Sequence, residues 1–399
     1  MHRLKTSLYL AVALVVTSGA VLAAPAHRRS LKKSSKAART STAVKRTAVV
    51  KKKTAVSSKA TAATLTRRTA RRTRVRRVYS PWTEPTYADS TTGDRSQGDD
   101  PVVRSAAVEA LGPYNGTVVA VDPMTGRILA MVNQRLALKS GFQPCSTVKI
   151  PVALAALSEN LIDHATPVRL YGRSRMNLTQ ALAHSNNLYF ANLGIKLGYD
   201  RFAYYAKLFG LGEKAGLGIQ GEEPGYFAPA PPANGGMGMM TSFGEGITLT
   251  PLELAALLSA VSNGGTLYYL QYPQSHQEID QFVPRVKRNL DIAQYIPQIK
   301  PGMEGAVEFG TARRAVYDPE APVCGKTGTC TGGTTHLGWF GSFSDFGQNK
   351  IVVVVLLTGG RGVSGPTAAQ ISGSIYRKLQ QEGYFAKRPV FSPAVLVPR

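Results

Sequence analysis

The chain has 399 residues, 43% of them hydrophobic, and a formal net charge of +24. This hydrophobic content is ordinary for a globular protein and excludes a chain that is disordered throughout. The charge is concentrated at one end, because residues 27–78 hold 19 Lys and Arg and no Asp or Glu. Residues 79–399 hold 27 basic and 24 acidic residues, so we expect a nearly neutral folded part preceded by a polybasic arm.

The chain has three cysteines, Cys145, Cys324 and Cys330. Three is a small and odd number, which argues against a disulfide framework. Their spacing fits no zinc-site pattern, and no metal site is expected. A bridge between Cys324 and Cys330 is disfavoured, because six steps of roughly 3.3 Å along an extended strand hold the sulfurs apart. We therefore interpret the cysteines as small packed residues rather than as a redox or disulfide site.

Residues 1–26 have the features of an export signal. Arg3 and Lys5 precede an apolar run at residues 8–16, and small residues follow. The alternative is an uncleaved membrane anchor, because residues 8–26 are about long enough to span a bilayer. The dense positive charge directly after this run opposes outward transfer in both cases. The sequence leaves cleaved signal and anchor open.

The polybasic arm, residues 27–78, contains no aromatic residue and is mainly Ala, Thr, Ser, Lys, Arg and Val. Such a segment cannot bury enough surface to offset the entropy of ordering, so we predict a disordered arm. Three interpretations remain: a nucleic-acid arm, an electrostatic tether to anionic lipids or wall polymers, and a solvated spacer. No nucleic-acid partner is expected if the chain is exported. Residues 79–104 have the composition of a linker.

From residue 105 onward the sequence predicts a folded domain. Two apolar runs at residues 116–122 and 127–133 are separated by Pro-Met-Thr-Gly, which is a β-hairpin signature. Further strands are predicted at 323–330, 337–343 and 351–358. The last reads Ile-Val-Val-Val-Val-Leu-Leu, as expected of a strand buried on both faces.

Helices are predicted between these strands. An apolar helical run extends from residue 150 to 161, and Thr250, Pro251 and Glu253 mark the N-terminus of another helix. An amphipathic helix is predicted at residues 367–380, at the end of the domain. We predict an α/β (α+β) fold: a mainly antiparallel central sheet whose first and last strands pair, flanked by helices, with an inserted all-helical lobe. The domain spans 105–385, and a tail spans 386–399.

Three short motifs carry candidate chemistry. Ser146 and Lys149 stand three residues apart, so on a helix they share a face and the amine can take the serine proton. Ser185 and Asn187 can relay a proton to a leaving nitrogen and hold a substrate amide. In the segment Lys326-Thr327-Gly328-Thr329, Lys326 supplies a cation that lowers the pKa of Lys149 and anchors a carboxylate. Gly328 leaves the strand open to an extended peptide.

The order Ser-x-x-Lys, Ser-x-Asn, Lys-Thr-Gly resembles the transpeptidase domain of penicillin-binding proteins, in the superfamily shared with serine β-lactamases. The resemblance covers about residues 116–380 and includes the segments 121–131, 209–212, 244–252 and 310–312. It implies the β-lactamase/transpeptidase-like fold. Cys145, beside the nucleophile, and Cys330, after the third motif, depart from the pattern of the family.

The resemblance also implies the roles of the site residues. Ser146 is the nucleophile, Lys149 its base, and the backbone N–H groups of Ser146 and Thr329 form the oxyanion hole. By similarity, Ser185 and Asn187 form the second catalytic motif. Lys326 and the residues that follow it bind the substrate on its carboxylate side; these are Thr327, Gly328 and Thr329.

The implied enzyme is a serine D,D-transpeptidase or D,D-carboxypeptidase that needs no cofactor and acts on D-Ala-D-Ala ends of peptidoglycan stem peptides. β-Lactams are the implied inhibitors. The implied location is the periplasm or the outer face of the cytoplasmic membrane.

Two alternatives are weighed against this function. A serine β-lactamase of class D or class A is the first, because residues 144–151 also resemble a class D nucleophile segment. Class D enzymes usually have an apolar residue where Asn187 stands. Class A enzymes need a deacylating glutamate, for which Glu222 and Glu223 are candidates. The second alternative is a non-turnover β-lactam sensor or wall-binding module in which the polybasic arm is the working part.

Overall fold

The structure, a computed structural model, describes residues 83–386. The predicted signal or anchor, the polybasic arm and the tail beyond residue 386 lie outside these residues. The strands are β1 (Gly116–Val121), β2 (Ile128–Val132), β3 (Val168–Tyr171), β4 (Ser174–Met176), β5 (Tyr226–Phe227), β6 (Ile247–Thr248), β7 (Thr266–Tyr268), β8 (Val286–Asn289), β9 (Val323–Gly332), β10 (Thr335–Ser344) and β11 (Val352–Gly359). The helices are α1 (Pro101–Leu111), α2 (Gln134–Ala137), α3 (Lys149–Ser158), α4 (Leu178–Ala183), α5 (Asn187–Leu197), α6 (Tyr199–Leu208), α7 (Gly236–Phe243), α8 (Pro251–Asn263), α9 (His276–Asp280), α10 (Ile296–Glu308) and α11 (Gly365–Gln381). No helix of residues 83–386 combines the length and the apolar character that crossing a bilayer requires.

The central sheet has five antiparallel strands in the order β2, β1, β11, β10, β9. β1 and β11 pair along their lengths, with Val119 opposite Val354. The predicted pairing of the first and last strands is therefore confirmed, as are the antiparallel sheet and its helical flanks. This topology brings residues from both ends of the domain to neighbouring strands.

β11 shows why the sheet is buried on both faces. Its side chains alternate between two hydrophobic clusters, because successive residues of a strand point to opposite faces. Val352, Val354 and Leu356 join the larger cluster, which includes α3 and α8. Val353 and Val355 join the smaller cluster, which includes α1 and α11. The continuous apolar run in the sequence is thus explained by helices covering both faces.

Helix α8 begins and ends as its sequence predicts. The Thr250 hydroxyl accepts the Glu253 N–H, the Glu253 carboxylate accepts the Thr250 N–H, and Pro251 occupies the first turn. Gly264 follows the helix with a φ of 94°, a conformation that glycine adopts without steric cost. The capping interactions fix where this buried helix starts beneath the sheet.

The segment inserted between β2 and β9 differs from the predicted all-helical lobe. It contains helices α2 to α10, together with three two-stranded sheets formed by β3–β4, β5–β6 and β7–β8. These strands have only two to four residues, as their bounds show. Strands this short give no sustained apolar alternation, and their pairing depends on partners elsewhere in the chain.

The described part of the predicted linker packs on the domain. Asp94 accepts the backbone N–H groups of Asn133 and Gln134 at 2.9 Å, directly after β2. Arg104, on α1, donates to Asp94 and to Asp99 at 2.9 Å each. The two carboxylate side chains are only 3% and 1% exposed. This segment therefore contributes a buried ion network to the domain.

Replacing Arg104 with alanine is expected to lower the free energy of unfolding by about 3 kcal/mol, because it leaves two buried carboxylates without their cation. The control is Arg201→Ala, which removes a pair to Glu159 in which the arginine side chain is 54% exposed. That variant is expected to lose less than about 1 kcal/mol. Urea unfolding of both variants measures the difference, and equal losses would contradict the structural role of Arg104.

Candidate active site

Ser146 lies in a short 3-10 turn, Cys145–Val148, and Lys149 is the first residue of α3. Residues three apart in a 3-10 turn lie over one another, so the two side chains meet. Lys149 Nζ is 2.6 Å from Ser146 Oγ. The predicted contact between nucleophile and amine is thus present, formed across a turn-to-helix junction instead of within one helix.

The amine of Lys149 is held in a buried environment. Its Nζ donates to Asn187 Oδ1 at 2.8 Å and to the Ser242 carbonyl oxygen at 2.6 Å. The rings of Phe190 and Phe243 lie 5.8 and 5.9 Å from the same atom. Burial disfavours the charged form and lowers the pKa of Lys149 to about 7. A neutral amine next to a serine hydroxyl can act as a general base near neutral pH.

No sequence pattern predicts that Ser242, Phe190 and Phe243 surround the Lys149 amine. Ser242 stands on α7, and its contribution is a backbone carbonyl, which any residue type could supply. Only the packing of α7 near α3 and α5 reveals this acceptor.

The second motif joins α4 to α5. Asn186 caps α5 by accepting the Tyr189 N–H, and Asn187 is the first residue of that helix. Ser185 has a φ of 55°, an uncommon conformation for a residue other than glycine, and it turns the chain between the helices. Of the two predicted residues, Asn187 contacts Lys149 directly. Ser185 makes no hydrogen bond to Ser146 or Lys149 within the described part of the chain.

The third motif lies on β9, where Lys326 is completely buried. Its Nζ donates to the Thr327 carbonyl oxygen at 3.0 Å. Burial, followed by the charge of Lys149, lowers the pKa of Lys326 well below its ordinary value. Thr327 Oγ1 lies 2.6 Å from Thr311 Oγ1, in the segment 310–312 that also carries the family resemblance.

Burial or a neighbouring cation can lower the pKa of a lysine, and the sequence pointed to Lys326 as the cation beside Lys149. In the structure the lowered pKa of Lys149 comes from burial. A carboxylate arriving beside Lys326 would favour the charged ammonium form of that side chain.

Thr329 is exposed, and its hydroxyl oxygen accepts the Gly365 N–H at the start of α11 at 2.7 Å. Gly328 was predicted to leave the strand surface open for an extended peptide, but in the structure this surface is covered. A Cβ on Gly328 would lie 2.9 Å from the Pro144 carbonyl oxygen and 3.3 Å from Cys145 Cβ. The loop that carries Ser146 therefore occupies this space, and glycine permits its close approach to β9.

Cys145 and Cys330 form a disulfide. The prediction that both are small packed residues without a disulfide is therefore wrong. The Cα atoms of the bonded pair are 5.6 Å apart, and their sequence separation is 185. Cys324 is free and buried, as expected. The prediction was wrong for the bonded pair because their proximity comes from packing of the Ser146 loop on β9, which no local spacing encodes.

The candidate deacylating glutamate Glu222 is used structurally. Its buried carboxylate accepts the backbone N–H groups of Ala215 and Gly216 at 2.8 to 3.1 Å. Burial raises the pKa of Glu222, and the charges that act on it belong to Lys214 and Lys287. Across residues 83–386 no three His, Cys, Asp or Glu side chains cluster as metal ligands.

Comparisons with known proteins point to one family. The family model of the penicillin binding protein transpeptidase domain matches residues 116–379, more than half of the chain. Stage V sporulation protein D of Bacillus subtilis is 29% identical over 309 residues, which cover 67% of this chain and 48% of the relative. Peptidoglycan D,D-transpeptidase FtsI of Escherichia coli K12 is 28% identical over 200 residues, covering 43% and 33%. The chain thus matches about half, or less, of the length of these relatives.

Solved structures share the fold. PBP2 of Pseudomonas aeruginosa superposes with a TM-score of 0.62 at 23% identity, covering 74% of this chain and 77% of that one. Penicillin-binding protein A of Mycobacterium tuberculosis, solved as an imipenem acyl-enzyme complex, gives a TM-score of 0.57 at 24% identity, covering 70% and 78%. At this level of identity the likeness establishes the architecture alone.

Proposed function

We propose, because this chain belongs to the penicillin-binding protein transpeptidase family, that it is a serine D,D-transpeptidase or D,D-carboxypeptidase. Its substrates are peptidoglycan stem peptides that end in D-Ala-D-Ala. The observation that carries the proposal is the 2.6 Å contact between Ser146 Oγ and the buried amine of Lys149. A serine hydroxyl becomes a nucleophile only when an adjacent base takes its proton, and this pair has the required geometry.

The reaction begins when neutral Lys149 accepts the Ser146 proton and Oγ attacks the carbonyl carbon between the two D-alanines. The N–H groups of Ser146 and Thr329 stabilise the oxyanion of the tetrahedral intermediate. The proton held by Lys149 is returned to the leaving nitrogen through the Ser185 hydroxyl, and the Asn187 amide holds the substrate amide. D-Alanine departs, and the peptide remains as an ester on Ser146. An amine or water then attacks the ester and regenerates the serine.

The third motif binds the terminal carboxylate of the substrate. Lys326 takes its charged ammonium form beside the arriving carboxylate. The hydroxyls of Thr327 and Thr329 supply hydrogen bonds to the same carboxylate. Support comes from their common position on β9, whose Gly328 packs against the Ser146 loop. This chemistry uses side chains and backbone N–H groups of the protein and requires no cofactor.

The function further implies export, to the periplasm or the outer face of the cytoplasmic membrane. The Cys145–Cys330 disulfide supports this location, because disulfides persist in oxidising compartments outside the cytoplasm. The basic residues of the polybasic arm suit a tether to anionic lipids or wall polymers there.

The tether is tested by retention on anionic vesicles. The full chain is expected to be retained more strongly than a chain that begins at Tyr79, because only the full chain carries the polybasic arm. Added salt should weaken this retention, since screening acts on exposed charges. Equal retention of the two forms at low salt would refute the tether.

Labelled penicillin tests the proposed enzyme class. The label is expected to become covalently attached at Ser146 and to persist for many minutes, because β-lactams trap the same serine that forms the natural acyl-enzyme. Intact mass spectrometry followed over time measures both attachment and release. Rapid loss of the label with release of hydrolysed penicillin would contradict a transpeptidase and identify a β-lactamase.

A further inference from the structure

The disulfide lies next to both donors of the proposed oxyanion hole. Cys145 immediately precedes Ser146, and Cys330 immediately follows Thr329. A single covalent link therefore stands one residue away from each of the two backbone N–H groups that would bind the oxyanion. These two N–H groups belong to different elements, the turn before α3 and the strand β9.

The loop before Ser146 needs external support to keep its conformation. Cys145 has a φ of 51°, a conformation that is strained for a residue other than glycine and persists only where the surrounding structure enforces it. Two non-covalent contacts help. Gly328 allows Pro144 and Cys145 to approach β9 closely, and Trp339 Nε1 donates to the Gln143 carbonyl oxygen at 3.0 Å. The disulfide adds the covalent link between this loop and β9.

We propose that the Cys145–Cys330 disulfide is a positioning element of the oxyanion hole, and this inference rests on the proposed function. It fixes the spacing between the Ser146 and Thr329 N–H groups. An oxyanion hole works only when both donors lie about 2.7–3.1 Å from the developing negative oxygen. An error of about 1 Å in such a site can cost roughly 100-fold in rate.

Two of the three hydrogen bonds of the Lys149 amine are independent of the disulfide, and the third joins it to Ser146. Lys149 is held by Asn187 on α5 and by Ser242 on α7, neither of which lies on β9. Breaking the disulfide should therefore slow acylation while leaving the pH at which Lys149 loses its proton unchanged. A general loss of folding would instead disturb both properties together.

Reduction gives a reversible way to break the link. Cys145 is completely buried, whereas Cys330 is partly exposed, so we expect a thiolate to attack the disulfide at Cys330. Its attack forms a mixed disulfide with Cys330 and releases Cys145 as the thiolate. The second thiol of dithiothreitol then resolves the mixed disulfide, leaving two protein thiols and cyclic oxidised dithiothreitol.

The experiment measures acylation of the full chain by a fluorescent penicillin. The first-order acylation rate constant and the dissociation constant of the preceding non-covalent complex are determined separately. The forms compared are the oxidised protein, the reduced protein and the double variant Cys145→Ser/Cys330→Ser. Broken-disulfide forms are expected to acylate about 10- to 100-fold more slowly, with a dissociation constant within about twofold of the oxidised protein. The pH midpoint of the rate should be unchanged.

The control variant is Cys324→Ala, which removes the free thiol and keeps the disulfide. It should acylate at the rate of the oxidised protein and should still slow on reduction and recover on reoxidation. An unchanged rate constant in the reduced protein would overturn the positioning role. So would a slower rate accompanied by weaker binding and a shifted pH midpoint. If the oxidised protein itself forms no acyl-enzyme, the proposed function fails first, and this inference fails with it.

Discussion

Ser146→Ala is expected to form no covalent adduct with labelled penicillin, because the variant lacks the hydroxyl oxygen that lies 2.6 Å from the Lys149 amine and acts as the nucleophile. The loss should be complete in practice, since the oxyanion donors and substrate contacts cannot substitute for the missing oxygen. The measurement is intact mass spectrometry after incubation with penicillin. Non-covalent binding should persist, because the substitution removes one oxygen and leaves the third motif intact.

The matched control for this prediction is Ser185→Ala. Ser185 is assigned to proton relay, so its loss should slow acylation by about 100-fold or more without abolishing it. Prolonged incubation of Ser185→Ala should therefore yield full labelling of Ser146. An adduct on Ser146→Ala, at any position, would contradict the assignment of the nucleophile.

Lys149→Met is expected to lower the acylation rate by about 10²–10⁴-fold, the range associated with a positioned general base. Methionine keeps an unbranched side chain of similar length in the buried site but offers no amine. The control is Lys196→Met, on the exposed face of α5, which should acylate at the normal rate. Melting temperatures of the two variants separate a catalytic loss from unfolding.

The pH dependence of the rate gives a second readout of Lys149. Its pKa is lowered to about 7, so the neutral base form predominates above that pH and the ammonium form below it. The acylation rate of the unsubstituted protein should rise through pH 7 and level off above it. In Lys149→Met this rise should disappear. A rise centred near pH 10 would show that burial does not tune this amine.

The sheet and its helical flanks could be predicted because local patterns encode them. Residues 351–357, which supply most of β11, are all apolar, and alternate side chains of the strand pack into two separate clusters. Helix α8 carries its own start and stop signals in Thr250, Pro251 and Gly264. The positions of Ser146, Lys149 and Asn187 in one site also followed, because their motif order resembles that of a known family.

The parts that could not be predicted depend on tertiary packing. Ser242 contributes a backbone carbonyl, and Trp339 fixes the Ser146 loop through a hydrogen bond to a carbonyl on that loop. Neither interaction leaves a residue pattern. The Cys145–Cys330 pair has a sequence separation of 185, so its proximity exists only after β9 has packed against the loop. Local spacing bears only on Cys324 and Cys330, and it correctly disfavours a bridge between those two.

The most direct test of the central claim is incubation of the full chain with a D-Ala-D-Ala pentapeptide, with and without an amine acceptor, followed by acid quenching and peptide mapping. The account predicts release of free D-alanine and an acyl adduct, equal to the pentapeptide less D-alanine, on the fragment that contains Ser146. With the amine, that acyl group should appear in a cross-linked product. D-Alanine release by Ser146→Ala, or an adduct on a fragment without Ser146, would contradict it.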